Sequence, residues 1–379
     1  TNTVSLEEEL FKIDRRHTNS TSDTEMLLNV LATELQENLD GKDLSSVNLF
    51  KAVQNLHKRV QGSYAAIALI ASYGILAFRD PFGIRPLVLG KRNFKNKTEW
   101  MVASESLVLE NNDYEIVRDV EPGEAIFITT TGELYSKQCS NNPQLFPCAF
   151  EYVYLARPDS IMNGVSVYDS RLKMGDKLSE TIKKYVTSGD IDVVMPIPDS
   201  SRPAAMQVAR QLGIEYREGF FKNRYVGRTF IMPGQSHRKK SVRQKLNAMG
   251  TEFKGKNILI VDDSIVRGTT SKQIVQMARM AGANHVTFTS AAPPVRHPHV
   301  YGINMPSKHE LIAYNRTIKE IEKELSIDTL VYQEINDLQD SIIYNSDIKG
   351  LDMSCFNGKY VTNTITQEYL DWVEKYLSS

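Results

Sequence analysis

Apolar residues recur at helical spacing from Leu6 to Arg15, from Thr24 to Leu39 and from Leu44 to Val60, which predicts three amphipathic helices early in the chain. Ser22 and Glu25, three residues apart ahead of the second stripe, read as a capping box. The period then shortens. Brief apolar runs at Tyr64 to Ile70, Gly74 to Arg79, Pro86 to Leu89 and Trp100 to Ala103 predict strands, separated by turn residues at Asp80-Pro81-Phe82-Gly83 and from Lys91 to Lys97. Glu121-Pro122-Gly123 and Thr131-Gly132 punctuate two further strands. Helices collected first and strands after them predict stacked layers, not a βαβ alternation.

After Pro147-Cys148, an expected domain boundary, the order changes. Tyr168 to Val186 predicts a helix, Ile191 to Pro196 a strand and Ser201 to Leu212 a helix. Ile258 to Val261 is a run of four apolar, mostly β-branched residues, as expected of a strand buried on both faces of a parallel sheet. Ser271 to Met280 reads as a helix ending at Gly282, and His285 to Ser290 as the next strand, stopped by Ala292-Pro293-Pro294. Ile318 to Leu325 and Gln367 to Leu377 look like surface helices. The reading is an α/β chain with a layered domain over 1–148, a mainly parallel domain over 149–345 and a C-terminal segment over 346–379.

Composition narrows the function classes. The chain has 379 residues, enough for two cores, and a net charge of −1, so no overall field attracts nucleic acid or an anionic membrane. It has no apolar run of about 18 residues and no basic-then-apolar leader at Thr1-Asn2-Thr3, so a soluble cytoplasmic protein is expected. Cys139, Cys148 and Cys355 are odd in number and far apart, and this spacing indicates neither disulfides nor a zinc or iron–sulfur site. His297 and His299 flank Pro298 and read as solvent-facing turn residues rather than ligands. The glycosylation-like patterns at Asn19, Asn96 and Asn315 read as chance in such a chain.

The densest chemistry lies between Lys256 and Thr270. Asp262 and Asp263 follow the apolar run at once, and Ser264 to Thr270 is a small-residue turn into a helix. Backbone N–H groups at such a helix start can hold a phosphate, with the hydroxyls of Ser264, Thr269 and Thr270 adding donors. Paired acids beside a phosphate need a sugar diol, a divalent ion or both between them, and a phosphorylated ribose supplies phosphate and diol together. A second loop, Pro198-Asp199-Ser200-Ser201, also ends a buried strand; there capping by Ser200 or Ser201 competes with ligand contact. Phe220 to Arg243 is the most basic stretch, interrupted by Gly227, Pro233 and Gly234, and reads as a lid over a polyanion. No Gly-x-Gly-x-x-Gly fingerprint or P-loop supports an NAD-binding or NTP-binding alternative.

The stretch through Thr270 resembles the 5-phosphoribosyl-1-pyrophosphate (PRPP) signature of the type I phosphoribosyltransferases. Further segments, His17 to Leu28, Phe78 to Leu87, Val102 to Ser106 and Glu151 to Ser160, resemble the glutamine PRPP amidotransferase family over nearly the whole chain. That resemblance implies an N-terminal-nucleophile hydrolase (αββα) domain, lacking its N-terminal part, ahead of a type I phosphoribosyltransferase domain. It implies PRPP contacts from Asp262, Asp263, Ser264, Ile265 and Val266, and from Arg267, Gly268, Thr269 and Thr270. Asp199, Ser200 and Ser201 are implied at the pyrophosphate, with Ser201, Asp262 and Asp263 toward Mg2+. Lys222, Tyr225 and Arg228 are the implied loop residues, Asp262, Asp263 and Arg228 the catalytic ones. Asp23, otherwise a helix-capping residue, is implied to accept the amino group of glutamine. Asn304 stands where the family usually has aspartate. The family's cysteine nucleophile matches nothing here, and although Thr1 could in principle act with its own amine, the residues around it resemble an internal segment. The expected reaction is therefore transfer of free ammonia to PRPP, without glutamine hydrolysis, giving 5-phosphoribosylamine in the first committed step of purine synthesis. Purine nucleotides are the expected inhibitors and a homo-oligomer the expected assembly. A non-catalytic PRPP or nucleotide-binding regulator is the alternative.

Overall fold

The computed structural model describes residues 2–20, 22–39, 44–223, 246–303, 305 and 307–378; Thr1, Tyr225, Arg228 and Asn304 lie outside them. Helices α1 (Thr3–Lys12), α2 (Asp23–Leu39) and α3 (Ser46–Arg59) open the chain. The capping box belongs to α3, where Ser45 Oγ accepts from Asn48 N–H and the Asn48 side chain accepts from Ser45 N–H. The expected Ser22–Glu25 box does not form. Glu25 reaches further back to Asn19 N–H at 2.7 Å and the Ser20 hydroxyl at 2.6 Å, and Ser22 N–H turns to Ser20 Oγ. Spacing cannot say which of several neighbouring serines wins a carboxylate.

Among the described residues, β1 (Ala65–Ile70), β2 (Gly74–Arg79), β6 (Glu124–Thr129) and β7 (Leu134–Gln138) form an antiparallel sheet in that order. A second sheet contains β4 (Lys97–Ala103), β3 (Val88–Phe94) and β5 (Glu115–Asp119), in the order β4-β3-β5. Alternation along β2 divides the cores: Leu76 and Phe78 pack under Leu49, Val53 and Leu56 of α3, while Ala77 faces Leu87, Leu89 and Val120 on the second sheet. Leu109 of α4 (Ser106–Glu110) packs on the far side of that sheet with Val88. The result is helix, sheet, sheet, helix. Lys91 to Lys97, expected as a loop, is instead the end of a long hairpin whose two-residue turn places Lys95 at φ 47° and Asn96 at φ 62°. Both flanking strands are largely solvated there, so the hairpin carries no apolar alternation to betray it.

The second half begins with a π-helical turn at Glu151–Leu155, a small hairpin of β8 (Ile161–Met162) and β9 (Val165–Ser166), and α5 (Val167–Ile182). It then alternates through β10 (Val193–Pro196), α6 (Arg202–Leu212) and β11 (Glu215–Tyr216). A β-ribbon of β12 (Phe220–Lys222) and β13 (Leu246–Ala248) and the short α7 (Gly250–Phe253) precede β14 (Asn257–Asp262) and α8 (Thr269–Met280). β15 (His285–Ser290), α9 (Ile318–Leu325), β16 (Thr329–Tyr332) and α10 (Ile335–Ile343) complete the sheet and its cover. β16 and α10 escape the sequence reading, being brief and close together. The short α11 (Ser354–Asn357) and then α12 (Gln367–Ser378) end the chain. The sheet is parallel throughout, in the order β11-β10-β14-β15-β16. No helix among the described residues is long and apolar enough to cross a membrane.

The two halves share a polar seam. The fully buried Arg79 guanidinium donates to the carbonyls of Gly83 and Arg85 at 2.7 Å and of Val120 at 2.8 Å, and to Asn163 Oδ1 at 3.1 Å. Glu105 accepts from Arg157 N–H and from the Ser160 hydroxyl, and Arg85 pairs with Glu151 at 3.1 Å. Cys148 is buried with Ile84 in the same apolar cluster as Met174 and Leu259, so the chain passes Pro147-Cys148 inside the core.

Asp80, next to Arg79, is wholly buried and accepts from the N–H groups of Tyr64, Phe82 and Ile84. Burial outweighs those bonds and the Arg79 charge, and lifts its carboxyl to about 6. The folded chain therefore keeps a proton that the unfolded chain releases near pH 4, and Asp80 weakens the fold as pH rises through the interval between. Asp80→Asn cannot ionise; relative to the parent chain it should gain about 2–3 kcal/mol in urea unfolding between pH 4 and pH 7. A gap between the two that stays flat over this range would show that the carboxyl titrates normally.

Candidate active site

Ile258, Leu259, Ile260 and Val261 form a strand because both faces of β14 are covered. Ile258 and Ile260 belong to one apolar cluster, Leu259 and Val261 to the other. Its neighbour β10 runs parallel, from Val193 beside Ile258 to Pro196 beside Val261. The helices that follow these two strands leave on opposite faces: Ala205 and Val208 of α6 pack with Leu259, Ile274 and Val275 of α8 with Ile258. Strand order thus reverses between β10 and β14, and a crevice opens at their carboxyl ends. Both candidate loops end there.

Asp262 and Asp263 are buried, at 8% and 9% exposure, and Asp263 N–H donates to Asp262 Oδ1 at 2.9 Å. The loops meet through one hydrogen bond, from the Ser200 hydroxyl to Asp263 Oδ2. The Ser264 hydroxyl donates to Oδ1 of the same carboxylate at 2.7 Å. Burial raises both acids, and the Asp263 charge raises Asp262 further, whereas Asp263 is partly restored by Ser200, Ser264 and the positive charge of Arg171. Asp263 is accordingly the more readily ionised of the two.

The capping alternative for the Pro198 loop does not hold. Ser201 stands at the start of α6, yet its buried hydroxyl donates back to the Ile197 carbonyl at 2.5 Å and caps nothing. Asp199 is exposed and pairs with Lys222 at 3.0 Å and with Arg202 at 2.5 Å. The remainder of the basic stretch, with Arg224, Tyr225 and Arg228, lies outside the described residues. Asp23, in the first turn of α2, lies near Tyr369 of the last helix, whose phenol is raised by burial and then by the Asp23 charge.

The turn after the acids is anchored from below. Ile265 is fully buried, Val266 receives the Ile312 N–H on its carbonyl at 2.9 Å, and Arg267 pairs with Glu310 at 2.8 Å. Gly268, at φ 74°, precedes α8, while Thr269 and Thr270 are exposed at its N-terminus. This leaves a helix start with free N–H groups and two hydroxyls facing solvent, as an oxyanion requires.

Arg171 and Arg202 were missed by motif reading. Arg171 is 3% exposed; it donates to the carbonyls of Tyr152 and Ala156 at 2.8 Å, and its charge reaches Asp263. The signal was available, because Arg171 falls on the same stripe of α5 as Val167, Met174, Leu178 and Ile182. A cation on a buried stripe asks for an explanation.

A parallel sheet with an acid pair and a phosphate-type helix start at its switch point defines a phosphoribosyltransferase. Residues 166–297 match the phosphoribosyl transferase domain family and residues 1–111 the glutamine amidotransferase domain family. The chain is 54% identical to the amidophosphoribosyltransferase of Pasteurella multocida, over 98% of this chain and 74% of that protein. Identity is 53% to that of Escherichia coli and 46% to that of Saccharomyces cerevisiae, each over 99% of this chain and 74% of the relative. The solved structure of the glutamine PRPP amidotransferase of B. subtilis, complexed with ADP and GMP, superposes with a TM-score of 0.80 at 35% identity, covering 95% of this chain and 75% of that one. The chain belongs to the amidophosphoribosyltransferase family.

A Cβ on Gly268 would sit 2.2 Å from Ile312 Cδ1 and 3.1 Å from Leu325 Cδ2, at a backbone angle that L-residues avoid. Gly268→Ala should therefore destabilise the chain by about 2–4 kcal/mol, combining the left-handed backbone penalty with overpacking. Urea midpoints unchanged from the parent would show that the turn can relax.

Proposed function

We propose that the chain transfers an amino group from ammonia to C1 of PRPP, releasing pyrophosphate and forming 5-phosphoribosylamine, the first step of purine synthesis. The observation that carries this reading is the Ser200–Asp263 hydrogen bond, which places both loops at one crevice. The start of α8, with Ser264, Thr269 and Thr270, is suited to the 5-phosphate; Asp262 and Asp263 are suited to the ribose diol. The Asp199–Ser201 loop would face the pyrophosphate. Lys222, released from Asp199, would neutralise it together with Arg228.

The acids also suit a cation. Two adjacent buried carboxylates, with hydrogen bonds from hydroxyls and a backbone N–H among the described residues, match the hard oxygen donors of a magnesium site. Asp262 and Asp263 would hold Mg2+, and Ser201 could join them only by turning its hydroxyl from the Ile197 carbonyl. Mg2+ held there would supply charge neutralisation for the anionic substrate. The residues themselves position C1, stabilise the oxocarbenium-like transition state through the acid pair, and draw off the leaving charge through Lys222. Nitrogen bonds to C1 as the bond to pyrophosphate breaks, and the incoming ammonia loses one proton.

Ammonia, rather than glutamine, is the proposed nitrogen source for the polypeptide of residues 1–379. All three cysteines are buried, and burial raises each thiol, Cys139 to about 11, the opposite of what a thiolate nucleophile needs. Purine nucleotides are proposed as inhibitors, on the strength of the relative solved with ADP and GMP. Domain limits of 1–148, 149–345 and 346–379 are proposed with this reading.

Pyrophosphate release from PRPP, measured with magnesium and either ammonium or glutamine, should proceed with ammonium alone. Glutamate formation would refute the nitrogen assignment, and PRPP binding without turnover would favour a regulator. Asp263→Asn should lose at least about a hundredfold in kcat without any fall in melting temperature, because a preorganised charge is removed while the cost of a buried carboxylate is relieved.

A further inference from the structure

Asp199 is an anion on a loop that is to meet an anion. It sits next to Ser200, whose hydroxyl reaches Asp263, at the edge of the crevice where the pyrophosphate would lie. A bare carboxylate there would repel pyrophosphate. Both of its oxygens, however, are already taken by cations: Oδ1 accepts from Arg202 Nη1 at 2.5 Å and Oδ2 from Lys222 Nζ at 3.0 Å. The Asp199 side chain is 56% exposed, so it is held at the surface and is free to swing away.

Arg202 is fixed from its other edge. Its Nε donates to Glu218 Oε1 at 2.9 Å and its Nη2 to Oε2 at 3.4 Å, while the Tyr216 hydroxyl donates to the same Oε1 at 2.7 Å. This two-point fork sets the guanidinium plane and leaves Nη1 as the corner offered to Asp199. Lys222 has no such second anchor, since Asp199 is its one acidic partner among the described residues.

We propose, on the PRPP reading above, that Asp199 is a built-in competitor of pyrophosphate: its carboxylate holds Arg202 and Lys222 until pyrophosphate displaces it, which makes Arg202 a second leaving-group contact beside Lys222. Two cations gripping one carboxylate from either side is the arrangement that a pyrophosphate oxygen needs, with Asp199 as its stand-in. Arg202 and Lys222 are balanced by Asp199 and Glu218, so the cluster turns net positive charge toward an anion once Asp199 swings into solvent. Glu218 stays, held by the fork and by Tyr216. Exposed ion pairs are weak enough to be exchanged in this way. When the bond to C1 has broken, the returning carboxylate competes with the product and hastens its departure.

Calorimetric titration of the 379-residue chain with pyrophosphate and, separately, with ribose 5-phosphate, each with and without magnesium, tests this. Asp199→Asn should bind pyrophosphate about two- to fivefold more tightly, the size of one exposed ion pair. Arg202→Gln should bind it at least about tenfold more weakly, as loss of a charge-assisted hydrogen bond requires, and Arg202→Lys should recover part of that loss. Ribose 5-phosphate, which lacks the leaving group, should bind all of these chains equally. Pyrophosphate binding that is unchanged or weaker in Asp199→Asn overturns the proposal, and weakening seen only with magnesium would make Asp199 a metal-holding residue instead. Unchanged binding in Arg202→Gln overturns it as well. If ribose 5-phosphate binds while pyrophosphate is indifferent to Asp199→Asn, only this proposal falls; if the parent binds neither ligand, the PRPP reading falls with it. Should Arg202→Gln not fold, the surface substitution Asp199→Asn decides.

Discussion

Two neighbouring carboxylates at the buried end of a parallel strand are costly wherever they occur, and the second half of the molecule is arranged around making them tolerable. Strand order supplies the crevice, since only where β10 and β14 send their helices to opposite faces can a loop reach across from the neighbouring strand. Ser200 makes that reach and Ser264 makes a local one, both to Asp263. Among the described residues the Asp262 carboxylate receives only a backbone N–H, and Asp262 remains the less easily ionised partner.

Arg171 ties this site to the rest of the chain. Its N–H groups go to the carbonyls of Tyr152 and Ala156, at the join between the halves, while its charge acts on Asp263. A single buried side chain on α5 thus links the join to the acid pair. The ion pairs of the two loops, Asp199 with Lys222 and Arg267 with Glu310, are by contrast largely exposed and exchange readily for solvent.

Features that depend on neighbours in the chain were legible in the sequence. The Ile258–Val261 run, the acids behind it and the small-residue turn announced a buried parallel strand feeding an anion-binding helix start, and the helix-then-strand order of the first region announced its layers. What escaped depends on distant contacts. The hairpin through Lys95 and Asn96 is solvated on both sides and so shows no alternation. Ser201 resembles a cap until the Ile197 carbonyl is seen to claim its hydroxyl. His299 is buried, yet looks like a surface histidine because its partners, Cys148 and Asp352, stand 151 and 53 residues away.

Arg79 has a consequence for how such a chain could be assembled or divided. Three of its four acceptors, the carbonyls of Gly83, Arg85 and Val120, belong to the first half, and the fourth, Asn163, to the second. Separating the halves anywhere near Cys148 would expose one side of a guanidinium socket and the apolar surface around Ile84 together. Joining the first half to a new neighbour would therefore require that neighbour to bring its own substitute for Asn163.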